Sequence, residues 1–334
     1  MANNNFFDKI YGCLAGLAIG DALGMPTEGL TPNEIQQIFG YVTTFKRAPD
    51  GHPNSFLPEG HITDDTEETI VLIDAIIENK GIITPESFSE KLIDWAKKGL
   101  DKKPYVGPST RKAIENILNG VPIELAGERN VTCGAAMRIA PIGLLYPGRP
   151  EVAAKKAAEI SRVTHGGKPA IAAASAVAAA ISISLSEDAA LDKIIDAAIN
   201  GARIGADYGR DVVSPSVEKR IRLSVDIAKK FNDPKKATRE IYEIIGTGIH
   251  SAEAIPAAFG ILIIAKGNPM DAIILSTNIG GDTDTIGAIS GAIAGAFRGI
   301  SKIDKQKLKI VEEVNKIGLE NYARKLTNLM NYDR

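Results

Sequence analysis

Asn278-Ile279-Gly280-Gly281-Asp282-Thr283-Asp284-Thr285-Ile286 places two carboxylates two residues apart, each followed by a threonine hydroxyl. A glycine pair precedes them, and a run of small apolar residues, Ile286 to Ala296, follows. The pattern reads as a loop that presents oxygen ligands and then turns into a buried helix. Oxygen-only ligand sets suit magnesium, calcium or manganese, whereas zinc favours His or Cys. A plain helix cap is the competing reading, because an Asp at the N-cap accepts bonds from the free N–H groups of the first turn. A second stretch of the same kind, Thr63-Asp64-Asp65-Thr66, opens another apolar helix far upstream. Carboxylates gathered in one place repel one another unless a cation neutralises them, so two such helix starts predict one shared cation site.

The 334 residues are 44% hydrophobic, ample for a large core, and no linker divides them, so a single domain is expected over residues 1–334. A net charge of −2 gives no broad drive toward nucleic acid or an anionic membrane. Two cysteines, Cys13 and Cys133, are too few for a disulfide framework and sit among small apolar residues. They are expected as buried thiols in a reducing, cytoplasmic compartment. The start, Met-Ala-Asn-Asn-Asn, lacks the basic and apolar regions of a signal peptide. The run Ala170 to Leu185 is Ala- and Ser-rich and short for a span of ~20 residues; it reads as a central buried helix.

Helical periodicity recurs along the whole chain. Phe6 to Ile19 is helical and leads into Gly20-Asp21-Ala22-Leu23-Gly24-Met25-Pro26-Thr27-Glu28, where the glycines allow close backbone packing and Pro26 bars continuation. Glu28 therefore stands on a loop just past a helix end, where a surface acid is the alternative reading. Thr31-Pro32-Asn33-Glu34 is a capping box with Pro at the first helical position, and Thr84-Pro85-Glu86-Ser87 caps another helix. Between residues 40 and 62, three prolines, several glycines and two histidines, His52 and His61, mark a long irregular loop, expected as a wall or lid of a site. Gly134 to Leu145 reads as one small-residue helix, inside which Arg138 needs a partner, either a metal-site neighbour or a structural ion pair. Thr164-His165-Gly166-Gly167 before the Ala-rich helix from Pro169 to Ser186 suits an anion, or is an ordinary inter-helix turn. No sustained period-two run occurs. The fold predicted is all-α, one orthogonal bundle of a dozen or more helices.

Taken together, Gly20-Asp21-Ala22-Leu23-Gly24 with Glu28, Thr63 to Thr66, Gly134-Ala135-Ala136-Met137-Arg138, Thr164-His165 and Gly280 to Thr285 resemble the motifs of the ADP-ribosylglycohydrolase family, in its order and over most of the chain. The resemblance implies a magnesium-dependent hydrolase that cleaves the bond between ADP-ribose and an acceptor. It implies two Mg2+ ions, with Mn2+ an alternative, held by Thr63, Asp64, Asp65, Asp282, Asp284 and Thr285. Glu28 and Asp65 are the expected catalytic residues, Glu28 for acid–base work. Thr132, Cys133, Gly134, His165, Gly280 and Gly281 are expected to contact substrate, with Cys133 standing where the family often has Asn. The partner implied is an ADP-ribosylated protein or a small ADP-ribose conjugate, and the state a monomer. A magnesium-dependent nucleotide phosphohydrolase and a non-catalytic, crystallin-like ADP-ribose-binding protein are the alternatives; the first lacks a phosphate-cradling Gly-rich motif here.

Overall fold

The computed structural model describes residues 2–332, and the described residues form eighteen α-helices and no named strand. In the first half these are α1 (Ala2–Gly24), α2 (Pro32–Phe39), α3 (Asp64–Glu78), α4 (Pro85–Lys97), α5 (Pro108–Leu118), α6 (Ile123–Ala126), α7 (Gly134–Met137), α8 (Ala140–Leu145) and α9 (Pro150–Ser161). The second half adds α10 (Lys168–Ser184), α11 (Leu191–Ala206), α12 (Val217–Lys230), α13 (Pro234–Glu240), α14 (Ser251–Ile264), α15 (Pro269–Thr277), α16 (Thr283–Arg298), α17 (Lys305–Asn315) and α18 (Leu319–Tyr332). The all-α architecture is therefore as the periodicity predicts. No helix among the described residues is long and apolar enough to cross a membrane.

Two packings position the site. The first is an antiparallel seam between α1 and α16 in which both helices carry glycine at every fourth residue. A Cβ placed on Gly12, Gly16 or Gly20 would lie 2.5, 2.2 and 2.1 Å from the carbonyl oxygens of Gly295, Gly291 and Gly287. One on Gly24 would lie 2.5 Å from the backbone of Asp284. Residues four apart share a helix face, so the glycines let the two backbones touch along that face. The seam sets the C-terminal end of α1 beside the N-terminal end of α16. The second packing is α10, buried along nearly its whole length, with α7, α8, α9, α11, α14 and α16 gathered round it.

The capping boxes at Thr31 and Thr84 form as their sequences dictate, each threonine side chain accepting from the backbone N–H three residues on. Two segments depart from expectation. Gly134 to Leu145 is two short helices broken at Arg138 and Ile139. The cause is Pro141, which has no N–H to give the carbonyl of Met137 and whose ring would clash with it. The helix that opens at Pro234 changes at Ile241 into one widened turn over Ile241–Ile245, closed by Gly246 at φ 80°. The first helix also runs further than Ile19, through Gly24, because the seam buries the glycines that its sequence would expose.

Candidate metal and substrate site

The floor of the site is built from four chain segments. After α1, a tight turn over Met25–Thr27 delivers Glu28. The next residues pair with the Gly280-Gly281 turn: Gly29 N–H donates to Gly281 O at 2.8 Å, and Gly281 N–H donates to Leu30 O at 2.9 Å. Gly280 and Gly281 have φ of 85° and 80°, which L side chains rarely adopt, and a Cβ on Gly281 would strike Thr247 O at 2.2 Å. Asp282 N–H donates to that same Thr247 oxygen at 2.6 Å. This turn holds Asp282 and Asp284 against Glu28, and one carboxylate oxygen from each of the three lies within 4.8 Å of the others.

Opposite stands the start of α3. Asp21, wholly buried on α1, accepts the backbone N–H of Thr63 at 3.0 Å and of Thr66 at 3.1 Å, and both their hydroxyls also donate to it. It caps α3 from another helix. Asp64 Oδ2 accepts Gly107 N–H at 3.1 Å. Asp65 Oδ2 faces the hydroxyls of Thr63 at 3.4 Å and Thr285 at 3.5 Å, so it bridges the two helix starts. Its other oxygen, Oδ1, is buried without a partner.

Burial, joined by neighbouring carboxylates, pushes Asp64, Asp65 and Asp284 well above the ordinary carboxylate range. Burial raises Asp282 as well. For Glu28, burial and then the charge of Asp282 raise the carboxyl to about 7. Asp21, raised by burial alone against its four hydrogen bonds, stands at about 6. Acids this crowded and this dry call for a positive charge between them. The residues fit a hard cation on three counts: the donors are all oxygen, three carboxylates converge, and Asp65 Oδ1 is buried with no hydrogen-bond partner.

A cleft of about 660 Å³ opens above this floor. Of the residues expected at the site, Glu28, Asp64, Asp65, Thr132, Cys133, Gly134, His165, Asp282, Asp284 and Thr285 line it. Thr63, Gly280 and Gly281 do not. The Thr63 hydroxyl donates to Asp21 at 2.8 Å, behind the floor. The two glycines shape the turn under Asp282 and lie against Leu30, Pro32 and Thr247. The long loop after α2 forms one wall, through Pro49 to Asn54, as its irregular composition suggests. His52 accepts Asn54 N–H at Nδ1 (3.0 Å), which puts its proton on Nε2 to donate to Glu28 O at 2.8 Å. Asn54 Nδ2–H donates to Glu28 Oε2 at 3.1 Å. His61 is not at the cleft; its Nδ1 meets Ile62 O.

The third wall joins three loops. Cys133 Sγ–H donates to Asp282 Oδ2 at 2.9 Å, and burial beside Asp282 keeps the thiol protonated for that bond. Arg138 finds its partner in Glu68, one turn along α3 from Asp64 and Asp65; the pair is buried. Arg138 also donates to Thr164, whose hydroxyl lies 2.7 Å from His165 Nδ1, and His165 Nε2 lies 2.9 Å from Thr132 Oγ1. Sequence reasoning put His52 and Asn54 only in a loop expected to wall the site, and gave Asp21 and Glu68 no role. Asp21 left a signal, an acid inside an otherwise apolar helical face.

A family profile described as ADP-ribosylglycohydrolase matches residues 2–334. The chain belongs to the ADP-ribosylglycohydrolase family. It is similar to the uncharacterized protein YegU of Escherichia coli K12, 31% identical over 320 residues that cover 95% of each chain. It is also similar to the ADP-ribosyl-[dinitrogen reductase] glycohydrolase of Rhodospirillum rubrum, 31% identical over 166 residues, 49% of this chain and 54% of that protein. Among solved structures it matches an ADP-ribosylglycohydrolase-related protein complex with a TM-score of 0.70 and 23% identity, over 98% of this chain and 99% of that one, a likeness of fold. Membership in the ADP-ribosylglycohydrolase family makes the protein a glycosyl-bond hydrolase of ADP-ribose conjugates.

Proposed function

We propose that this ADP-ribosylglycohydrolase uses a pair of magnesium ions, or manganese in their place, held between the two acidic helix starts. The observation that carries the reading is the convergence of Glu28, Asp282 and Asp284 within 4.8 Å, across from the unpartnered Asp65 Oδ1. Asp64, Asp65, Asp282, Asp284 and Thr285 would hold the ions, with the Thr63 hydroxyl behind them. Bound there, the ions would neutralise the carboxylates, fix the ribose hydroxyls and activate a water.

The remaining chemistry belongs to the chain itself. Glycosidic bonds to ribose C1 cleave through an oxocarbenium-like state, and the leaving atom needs a proton. Glu28, held at the floor of the cleft by Asn54 and the His52-stapled loop, is placed to give that proton. Asp65, set between the hydroxyls of Thr63 and Thr285, keeps its other oxygen free for an ion beside the reacting sugar. Cys133 orients the Asp282 carboxylate, and the wall of Pro49 to Asn54 and Tyr105 to Pro108 keeps bulk water from the ring.

The reading is tested by magnesium-dependent release of free ADP-ribose from an ADP-ribosyl-arginine protein, an ADP-ribosyl-serine peptide, O-acetyl-ADP-ribose and ADP-ribosylated DNA. Asp284→Asn serves as the blank. Release from one member, lost with chelator and in the variant, is the expected result and names the acceptor. Release that is indifferent to chelator would sink the metal reading.

A further inference from the structure

The cleft sets an electrostatic problem for a ligand with a diphosphate. Among the described residues, six carboxylates line it, those of Glu28, Asp50, Asp64, Asp65, Asp282 and Asp284, and no lysine or arginine does. A cation does stand behind the wall. Arg138 is 1% exposed, with Phe88 beneath it at 5.1 Å, one guanidinium nitrogen on Glu68 and another on Thr164 Oγ1.

Counting protons fixes the direction of the chain that leads from it. A guanidinium only donates. Thr164 Oγ1 therefore accepts from Arg138 and has one proton left to give, and its remaining partner is His165 Nδ1 at 2.7 Å. Thr164 is fully buried, so a proton not given to Nδ1 would have no acceptor. Nδ1 thus accepts. The ring is neutral, because burial and then the Arg138 charge disfavour the imidazolium, and its one proton sits on Nε2. Nε2–H donates to Thr132 Oγ1 at 2.9 Å. The Thr132 oxygen has now accepted, and its own proton has no protein acceptor. Thr132 lines the cleft.

We propose that Arg138, acting through Thr164 and His165, fixes Thr132 as a hydrogen-bond donor to a phosphoryl oxygen of the ligand's diphosphate. The ligand named rests on the ADP-ribose reading above; the direction of the chain does not. Arg138, Thr164 and His165 are positioning residues, and Thr132 alone touches the ligand. A buried positive charge is thereby expressed in an acidic cleft as an oriented O–H, with no cation in the cleft to compete for the metal ligands.

Two measurements test this. In the ligand-free protein, 15N resonances of the His165 ring are expected to show the tautomer protonated at Nε2, and Thr164→Val is expected to release it to the other tautomer or a mixture. A wild-type ring protonated at Nδ1 overturns the chain. Calorimetric binding of ADP-ribose in magnesium is expected to weaken roughly tenfold or more in Thr132→Val and to recover in Thr132→Ser, since a hydrogen bond to a charged group is lost and restored. Adenosine, which has no phosphate, should bind both alike. Thr164→Val should weaken ADP-ribose less, and Thr132→Val/Thr164→Val no further than Thr132→Val alone. Additive losses, or a Thr132→Val protein that binds ADP-ribose as the wild type does, overturn the proposal. A wild type that binds no ADP-ribose removes the ligand and the functional reading together, while the tautomer still decides the chain.

Discussion

The start of α16 and the start of α3 carry the same residue types and are held in the cleft by different forces. At α16, backbone meets backbone: Gly24 lies against Asp284 at the end of the seam, and the Gly280-Gly281 turn is tied to the segment after Glu28. At α3, the anchor is a charge: Asp21 takes the free N–H groups of Thr63 and Thr66. The first device is steric and leaves all three nearby carboxylates free to converge. The second uses one buried acid to satisfy the helix end, so Asp64 and Asp65 turn to the cleft. A shared motif in sequence therefore conceals two kinds of support, and substitutions should separate them.

The largest effect is expected at the seam. Gly20→Val drives side-chain atoms into the Gly287 carbonyl, 2.1 Å from where a Cβ would stand, and should cost about 3 kcal/mol or more. A urea midpoint equal to that of the wild type would break the steric account of α16. Asp284→Asn leaves the seam intact and, on the proposed metal reading, should cut ADP-ribose release by at least ~10²-fold with little change in the urea midpoint. Asp21→Ala is the complementary case: it should lower stability by about 1–3 kcal/mol through the lost cap, seen as faster amide exchange in the first turn of α3. If exchange rose equally in α16, the two supports would not be separate.

The smallest effect is one of pH. The folded-state carboxyls of Asp64, Asp65 and Asp284 lie well above their unfolded values, and Glu28 and Asp21 lie at about 7 and about 6. Groups raised on folding keep their protons in the folded state, so each contribution is full below the unfolded carboxylate range and is lost as pH rises through the folded value, about 6 for Asp21 and about 7 for Glu28. From Glu28 and Asp21 alone, the metal-free protein should melt at least about 2–4 °C higher at pH 5.5 than at pH 7.5. On the proposed reading, magnesium should close most of that gap at the higher pH. A metal-free melting temperature that rises with pH over this range would contradict the crowding of acids at the floor.

Much of this was legible in the chain. Helical periodicity and the capping boxes at Thr31 and Thr84 are local facts, and local facts survive folding. The acids of both helix starts were visible because an acid followed by an apolar run has few other uses. Other features depended on partners distant in sequence. The break at Arg138 was written in Pro141, but the apolar run around it masked the signal. That Asp21 caps α3 rather than meeting the cleft, and that Thr63 stands behind it, follows only once α1 and α3 are side by side. Gly280 and Gly281 looked like a ligand-contacting pair, while their positive φ and the Thr247 carbonyl make them the hinge of a turn. The glycine spacing on α1 and α16 could have been matched in advance, since both repeat every four residues.

The seam also orders events in time. Gly12 to Gly24 leave the ribosome long before their partners, Asp284 to Gly295. Contacts between such distant segments form late, after the loops between them have closed. The nascent chain thus carries Asp64, Asp65 and Glu28 for most of translation without the second half of its catalytic floor. A chain truncated before α16 would hold most of the cleft wall and, on the proposed reading, no working site, so hydrolysis can begin only once α16 has been made.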